Sequence, residues 1–100
     1  MKFLVKIEPP ALRDLQELAD HLADQADVAW LKWFDRLVAH IMSLDTFPTR
    51  CPVAPHESAH WARAIRCTHF GRKPHVRRIL FEVVGSTVFV LHINHGARDR

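Results

Sequence analysis

The sequence predicts an α+β domain in which a helical hairpin packs on one face of a small, mainly antiparallel sheet, with the element order β-α-α-β-β-β. Three observations predict it. Apolar and charged residues alternate near the N-terminus, two segments have apolar residues at helical spacing, and three segments rich in β-branched residues are separated by turns. The 100 residues are 48% hydrophobic and 25% charged. This composition is typical of one folded domain, expected over residues 1–100, and excludes disordered and collagen-like chains.

The first strand is predicted at residues 2–8, where Phe3, Val5 and Ile7 alternate with charged residues. Pro9 and Pro10 end this strand and suit the first turn of a helix, because the missing N–H would have no intrahelical partner there. A first helix is therefore expected over residues 10–23. Its apolar side is formed by Leu12, Leu15, Leu18, Ala19 and Leu22.

A second helix follows after residues 24–27, whose aspartates are good N-caps. Its apolar stripe consists of Trp30, Trp33, Phe34, Leu37, Val38 and Ile41, and the aromatic members are interpreted as core or helix-pair packing. The helix is predicted to end near Phe47-Pro48. The short connection makes the two helices an antiparallel hairpin.

The rest of the chain predicts a loop and then three strands. Residues 47–61 contain three prolines and are predicted to be a loop. The strands are expected at residues 64–70, 76–84 and 87–95, with Gly85-Ser86 forming a two-residue type II′ turn, in which glycine accepts the positive φ.

Counting outward from this turn pairs Phe81 with Val90, and then Ile79 with His92, Arg78 with Ile93, and Arg77 with Asn94. Directly opposed residues share a face. One face then carries only apolar residues: Ile79, Phe81, Val83, Val88 and Val90. The other mixes charged and apolar residues, which suggests a bound partner: Arg78, Leu80, Glu82, Phe89, Leu91, Ile93 and His95. A slip of one residue would reverse the two sets.

Positive charge is concentrated in the C-terminal part of the chain. Residues 1–60 hold six Lys/Arg and nine Asp/Glu, a net charge of −3, whereas residues 61–100 hold eight and two, a net charge of +6. Such a field attracts phosphate or carboxylate partners. The alternative is an ordinary solubilising surface.

Three features together resemble the RelE/ParE superfamily of type II toxin–antitoxin toxins: the element order, the strand segment Arg78-Ile79-Leu80-Phe81-Glu82-Val83, and the C-terminal run His95-Gly96-Ala97-Arg98. The resemblance covers nearly the whole chain and includes Asp45-Thr46-Phe47-Pro48 after the hairpin. It implies the RelE/ParE toxin fold and a bacterial growth inhibitor. The implied partner is a cognate antitoxin, in a heterotetramer or larger hetero-oligomer.

The superfamily contains two activities. RelE-like members are metal-independent endoribonucleases that cut mRNA on the ribosome, and ParE-like members inhibit DNA gyrase without nuclease activity. Arg78 and Arg98 match the two arginines that RelE-like nucleases use at the scissile phosphate, and arginine suits that task because its planar fork binds phosphate oxygens in pairs. The family's usual terminal tyrosine is missing, since the chain has no tyrosine. His95 is its best substitute for proton transfer.

Around the turn before the third strand, Arg66, Arg72, Lys73 and Arg77 predict a rim that binds nucleic acid, with a solvated loop as the alternative. Simpler roles also exist for the catalytic candidates. Arg78 would then only pair with Glu82, Arg98 would be a terminal charge, and His95 a strand-end residue. His92 is interpreted as a hydrogen-bonded histidine at the core edge.

No metal or cofactor is expected. His92 and His95 are three apart on a strand, which sends them to opposite faces; His56 and His60 would share a face only in a helix. Cys51 and Cys67 are expected to be reduced thiols of a cytoplasmic protein, because no leader-like or membrane-spanning segment is present.

The leading hypothesis is a toxin that cleaves mRNA on the ribosome. The alternatives are a gyrase inhibitor and a degenerate module that binds the antitoxin without toxicity.

Overall fold

The structure is a computed structural model, which describes residues 2–24 and 27–95. Its seven main elements follow the predicted order with one added helix: β1 (Leu4–Ile7), α1 (Pro9–Ala23), α2 (Val28–Met42), α3 (Pro55–Trp61), β2 (Arg66–Phe70), β3 (Arg77–Val84) and β4 (Thr87–His95). Two single-turn 3₁₀ helices, Ser43–Asp45 and Pro48–Arg50, lie between α2 and α3. The predicted α+β class is confirmed.

The four strands form one sheet in the order β1-β4-β3-β2. β1 is parallel to β4, and the β4–β3 and β3–β2 pairs are antiparallel. The first strand therefore lies beside the last one, and β4 occupies the interior of the sheet. The predicted mainly antiparallel sheet is confirmed.

The helical hairpin forms as its patterns predict. α1 begins with prolines in its first turn, and the Asp27 side chain caps α2 by accepting the Ala29 N–H at 2.9 Å. The expectation that the second helix continues to Phe47-Pro48 is wrong. α2 ends at Met42, and Phe47 has a positive φ of 48° that no α-helix accommodates.

The main core lies between the hairpin and one face of the sheet. Its buried residues are Ala11, Leu15, Leu37, Ile41, Leu44, Cys51, Ile79, Phe81, Val88, Val90 and Ile93. Ile79, Phe81, Val88 and Val90 are those that alternation assigned to the helix side. Burial of such side chains contributes roughly 1.5–3 kcal/mol each relative to exposure.

The opposite face of the sheet is partly covered, contrary to the expectation of an open mixed face. A second cluster there consists of Ala54, Ile65, Cys67 and Leu80, with Leu91 packed against it. Residues predicted to be loop form α3, whose Glu57, His60 and Trp61 line one pocket together with Leu80. Pro55 lies in the first turn of α3, and Glu57 supplies the negative charge that is favoured at a helix N-terminus. These two residues could therefore have indicated the start of a helix in the predicted loop.

A bulge in β4 changes the predicted register. The turn pairs Val84 with Thr87 and Phe81 with Val90 as expected, and only Gly85 of the two turn residues has a positive φ, as a type II′ turn requires. The ladder then shifts by one residue, because Leu91 is inserted between the partners of Phe81 and Leu80.

Beyond the bulge the predicted pairs are wrong by one position. Ile79 lies opposite Ile93, Arg78 opposite Asn94, and Arg77 opposite His95. Ile93 consequently enters the main core rather than the other face.

Within residues 2–24 and 27–95, no helix is long and apolar enough to cross a membrane.

Candidate functional site

The structure separates the predicted catalytic residues. Neighbouring residues on a strand point to opposite faces, so Arg77 and Arg78 lie on different sides of the sheet. His95 is paired directly with Arg77 and therefore shares its face. The inference that His95 lies on the same face as Arg78 is wrong, and the bulge at Leu91 is the physical reason.

Arg78 forms an ion pair with Glu57 of α3. Its Nη1 donates to Glu57 Oε2 at 2.9 Å and its Nη2 to Oε1 at 3.5 Å. The two side chains are only 13% and 12% exposed. The hydrogen bond from Arg78 lowers the pKa of Glu57 below its usual value, so the carboxylate stays charged near neutral pH and holds the guanidinium.

The alternative pairing of Arg78 with Glu82 is also wrong. Glu82 instead contacts Arg63, with Nη1 and Oε1 3.2 Å apart. Arg98 lies outside the described residues.

On the helix side, Arg77 and His95 each contain a buried nitrogen, Nε and Nδ1 respectively, without a hydrogen-bond partner in the described part of the chain. Burial lowers the pKa of Arg77. Its side chain borders a cavity of about 220 Å³ with Leu18, His21 and Leu22 of α1.

His92 lies at the edge of the sheet, where its ring stacks on Trp61 with 6.2 Å between the ring centroids. Its Nδ1 is 3.6 Å from Asp14 Oδ2. The same carboxylate oxygen accepts the Ile93 N–H at 2.9 Å. Asp14 thus supplies an acceptor on the side of β4 where β1 has already ended, since the β1–β4 pairing stops at Val90 and only β3 pairs with β4 beyond it. The sequence analysis missed this role.

The four residues of the predicted basic rim have different surroundings. Arg66 is engaged internally, because its Nη1 donates to the carbonyls of Thr49 and Cys51 at 3.2 and 2.6 Å. Arg72 and Lys73 are exposed in the turn between β2 and β3. Only these two stay together on an open surface with their charges directed to solvent.

Beside this turn is an open groove of about 500 Å³ that the sequence analysis missed. Its lining consists of Trp30, Trp33, Arg36, Phe70, Gly71, Arg72, Lys73 and His75. Trp30 and Trp33 were interpreted as core or helix-pair packing. Trp33 does pack against the main core, and both residues are half-buried and also line the groove. The spacing Trp30-x-x-Trp33-x-x-Arg36, one side of a helix, was the available signal.

Among residues 2–24 and 27–95, no cluster of three or more His, Cys, Asp or Glu side chains could hold a metal ion. His56 and His60 do share one side of α3, since this segment is helical, but no third ligand joins them in the described residues. Cys51 and Cys67 are buried thiols.

Comparisons with known proteins agree with this fold. The family model described as "ParE toxin of type II toxin-antitoxin system, parDE" matches residues 5–100. A solved structure titled "Chromosomal ParDE TA system from P. aeruginosa" is similar, with a TM-score of 0.68 and 18% sequence identity over 94% of this chain and 96% of that chain. No curated protein matches the chain.

Proposed function

The chain belongs to the ParE toxin family of type II toxin–antitoxin systems, and we propose that it stops growth by binding DNA gyrase without cleaving RNA. The observation that carries this choice is the separation of Arg78 from His95. Arg78 and His95 would have to lie on one face of the sheet to act on the same phosphate. In the register of β3 and β4 they lie on opposite faces.

Metal-free RNA cleavage needs a base for the ribose 2′-OH, cations for the charge that builds on the phosphate, and an acid for the leaving oxygen. Arg78 has its two terminal nitrogens directed at Glu57. A phosphate would have to displace this carboxylate. The chain has no tyrosine to replace the distant His95. These features support a toxin that acts through protein contacts.

A cognate antitoxin is the proposed partner that keeps the toxin inactive in the cytoplasm, within a hetero-oligomer. Large apolar side chains on the outer surface of the hairpin support a protein-covered surface: Leu12, Val28 and Leu31 are 57%, 64% and 51% exposed. The net charge of +6 in residues 61–100 suits an acidic antitoxin segment.

The test measures gyrase inhibition and RNA cleavage side by side. Purified chain is added to gyrase and relaxed plasmid, and supercoiling is followed on a gel. Primer extension on a known transcript is carried out in cells that express the chain. We expect inhibited supercoiling and intact transcripts.

Phe81→Asp serves as the control, because a charge at a fully buried position unfolds the domain and should abolish inhibition. Codon-phased breaks that disappear in both Arg78→Ala and Arg98→Ala, with unaffected supercoiling, would instead establish mRNA cleavage and overturn the proposal.

A further inference from the structure

The groove between the start of α2 and the β2–β3 turn combines aromatic walls with positive charge, and it lies apart from Arg78. We propose that this groove binds single-stranded nucleic acid, holding one unstacked base against Trp30 and Trp33 and the adjoining phosphates at Arg72 and Lys73. The proposal stands whether or not gyrase is the target of the toxin.

The aromatic walls form a corner that suits a flat ring. Trp30 and Trp33 meet at an interplanar angle of 79° with 6.0 Å between their ring centroids. The Phe70 ring packs against Trp33 with 5.6 Å between the ring centroids. The His75 ring packs edge to face against Trp30 with 4.7 Å between the centroids. Stacking of a base on such rings contributes about 1–3 kcal/mol and accepts any base.

The charges around the corner decide which flat ligand fits. An aromatic cage alone also suits a quaternary ammonium ion, but Arg36, Arg72 and Lys73 line this groove and would repel a cation. No acidic side chain of the described residues lines it. An aromatic ring that carries negative charge is therefore the matching ligand, and a nucleotide unit with its phosphate has both properties.

The groove selects a single strand over a duplex because the bases of a duplex are stacked on one another and cannot enter the corner. It is open on its outer side, and its cations come from two elements, Arg36 from α2 and the other two from the turn. A chain of phosphates can therefore pass across it while one base enters. The volume of about 500 Å³ accommodates a whole nucleotide unit.

The turn is held close to the tryptophans by Gly71, which has a φ of +95°. A Cβ at this position would clash with the His75 carbonyl oxygen and would lie 3.6 Å from Trp33 Nε1. Only glycine allows this approach. The His75 N–H also closes the turn on the Arg72 carbonyl at 2.7 Å. The corner is thus formed before a ligand arrives, which reduces the entropy lost on binding.

The adjoining cavity supports the same ligand chemistry. It shares Trp30, Trp33 and His75 with the groove and is bordered by Arg77, whose Nε is buried without an acceptor in the described residues. A buried donor without a partner is unfavourable. The arginine adds a further positive charge beside the groove, which favours a ligand that carries negative charge.

The test measures binding of ten-nucleotide single strands of DNA and RNA by quenching of tryptophan fluorescence. Trp61 is the third tryptophan and lies on the other side of the sheet, stacked on His92. In a Trp61→Phe background, the signal therefore comes from Trp30 and Trp33 alone. We expect quenching that saturates below about 100 μM strand, in the range of unspecific binding at physiological salt.

Two variants identify the groove. Trp30→Ala should weaken binding at least about fivefold, from the loss of one stacking wall. The double variant Arg72→Gln/Lys73→Gln changes only exposed residues and should keep the fold. It should reduce the slope of log K against log salt by about 1.4, from two lost phosphate contacts. The matched control is Lys6→Gln, an exposed cation on β1 at the far edge of the sheet, which should leave binding unchanged.

The outcomes separate the possible ligands. A strand that binds more tightly than both adenosine monophosphate and the same sequence as a duplex supports the proposal. Equal binding of the free nucleotide shows a nucleotide pocket and overturns the strand assignment. Equal loss in Lys6→Gln, absence of quenching, or binding of an acidic peptide in place of the oligonucleotides also overturns it.

Discussion

Replacing Glu57 with glutamine removes one charge of the Arg78–Glu57 ion pair while it preserves the size of the side chain. Loss of one partner from a fully buried pair costs about 3–5 kcal/mol, and loss of an exposed pair costs about 0–1 kcal/mol. At 13% and 12% exposure the pair lies between these limits. We expect Glu57→Gln to lower the free energy of unfolding by about 2 kcal/mol, and Tm by roughly 8–16 °C for a domain of this size.

The assay is urea unfolding of the full chain at pH 7, as a double-mutant cycle with Arg78→Gln. The coupling free energy between the two positions should be about 1–2 kcal/mol. Arg63→Gln is the matched control, since it breaks the Arg63–Glu82 pair, in which Arg63 is 50% exposed. That variant should cost less than about 1 kcal/mol.

At acid pH, wild type and Glu57→Gln should have the same free energy of unfolding. Because the pKa of Glu57 is lowered in the folded state, the unfolded chain binds the proton more readily. The stabilisation is present above the usual glutamate pKa and is lost as the pH falls through the lowered value. Equal urea midpoints for wild type and Glu57→Gln at pH 7, or a coupling below about 0.5 kcal/mol, would refute the assignment of Arg78 to a structural ion pair.

Three further predictions concern other elements. Asp14→Ala should destabilise the domain by about 1–2 kcal/mol in urea unfolding, because the Ile93 N–H loses its acceptor; Asp14→Asn retains an oxygen and should cost less, and equal losses would contradict this role. Ala62→Gly should raise the urea midpoint by the equivalent of about 0.5–1 kcal/mol, since Ala62 ends α3 with a φ of 53°; a lower midpoint would count against it. Burial lowers the pKa of His40, so the unfolded chain takes up the proton first and stability should decrease as the pH falls from 7 to 5; this decrease should shrink in His40→Gln, and an unchanged profile would exclude the contribution of His40.

The β3–β4 turn and the two long helices could be predicted from the sequence, because short-range residue patterns determine them. Gly85 set the turn and the first four pairs of the β3–β4 ladder, and apolar residues at helical spacing identified both long helices. The bulge at Leu91 could not be predicted in this way, because its neighbours Val90 and His92 fit a regular strand and no glycine or proline marks the inserted position. Every pairing beyond it was consequently displaced by one residue.

The candidate site was predicted less well because it depends on contacts between distant segments. Arg78 was recognised from its place in the resemblance, but its partner Glu57 lies in a segment that three prolines made look like a loop. The tryptophans of α2 were recognised as a stripe. Their access to solvent depends on where the Gly71 turn packs, and the spacing within α2 contains no information on that position.

The interior place of β4 has a consequence for synthesis of the protein. β4 is the last described element to leave the ribosome, yet both β1 and β3 need it as a neighbour. A nascent chain that stops before residue 87 lacks an interior strand of its sheet and three buried side chains of the core, Val88, Val90 and Ile93. Products that end before β4 should therefore be unfolded and harmless, and the toxin should become active only after β4 has been synthesised.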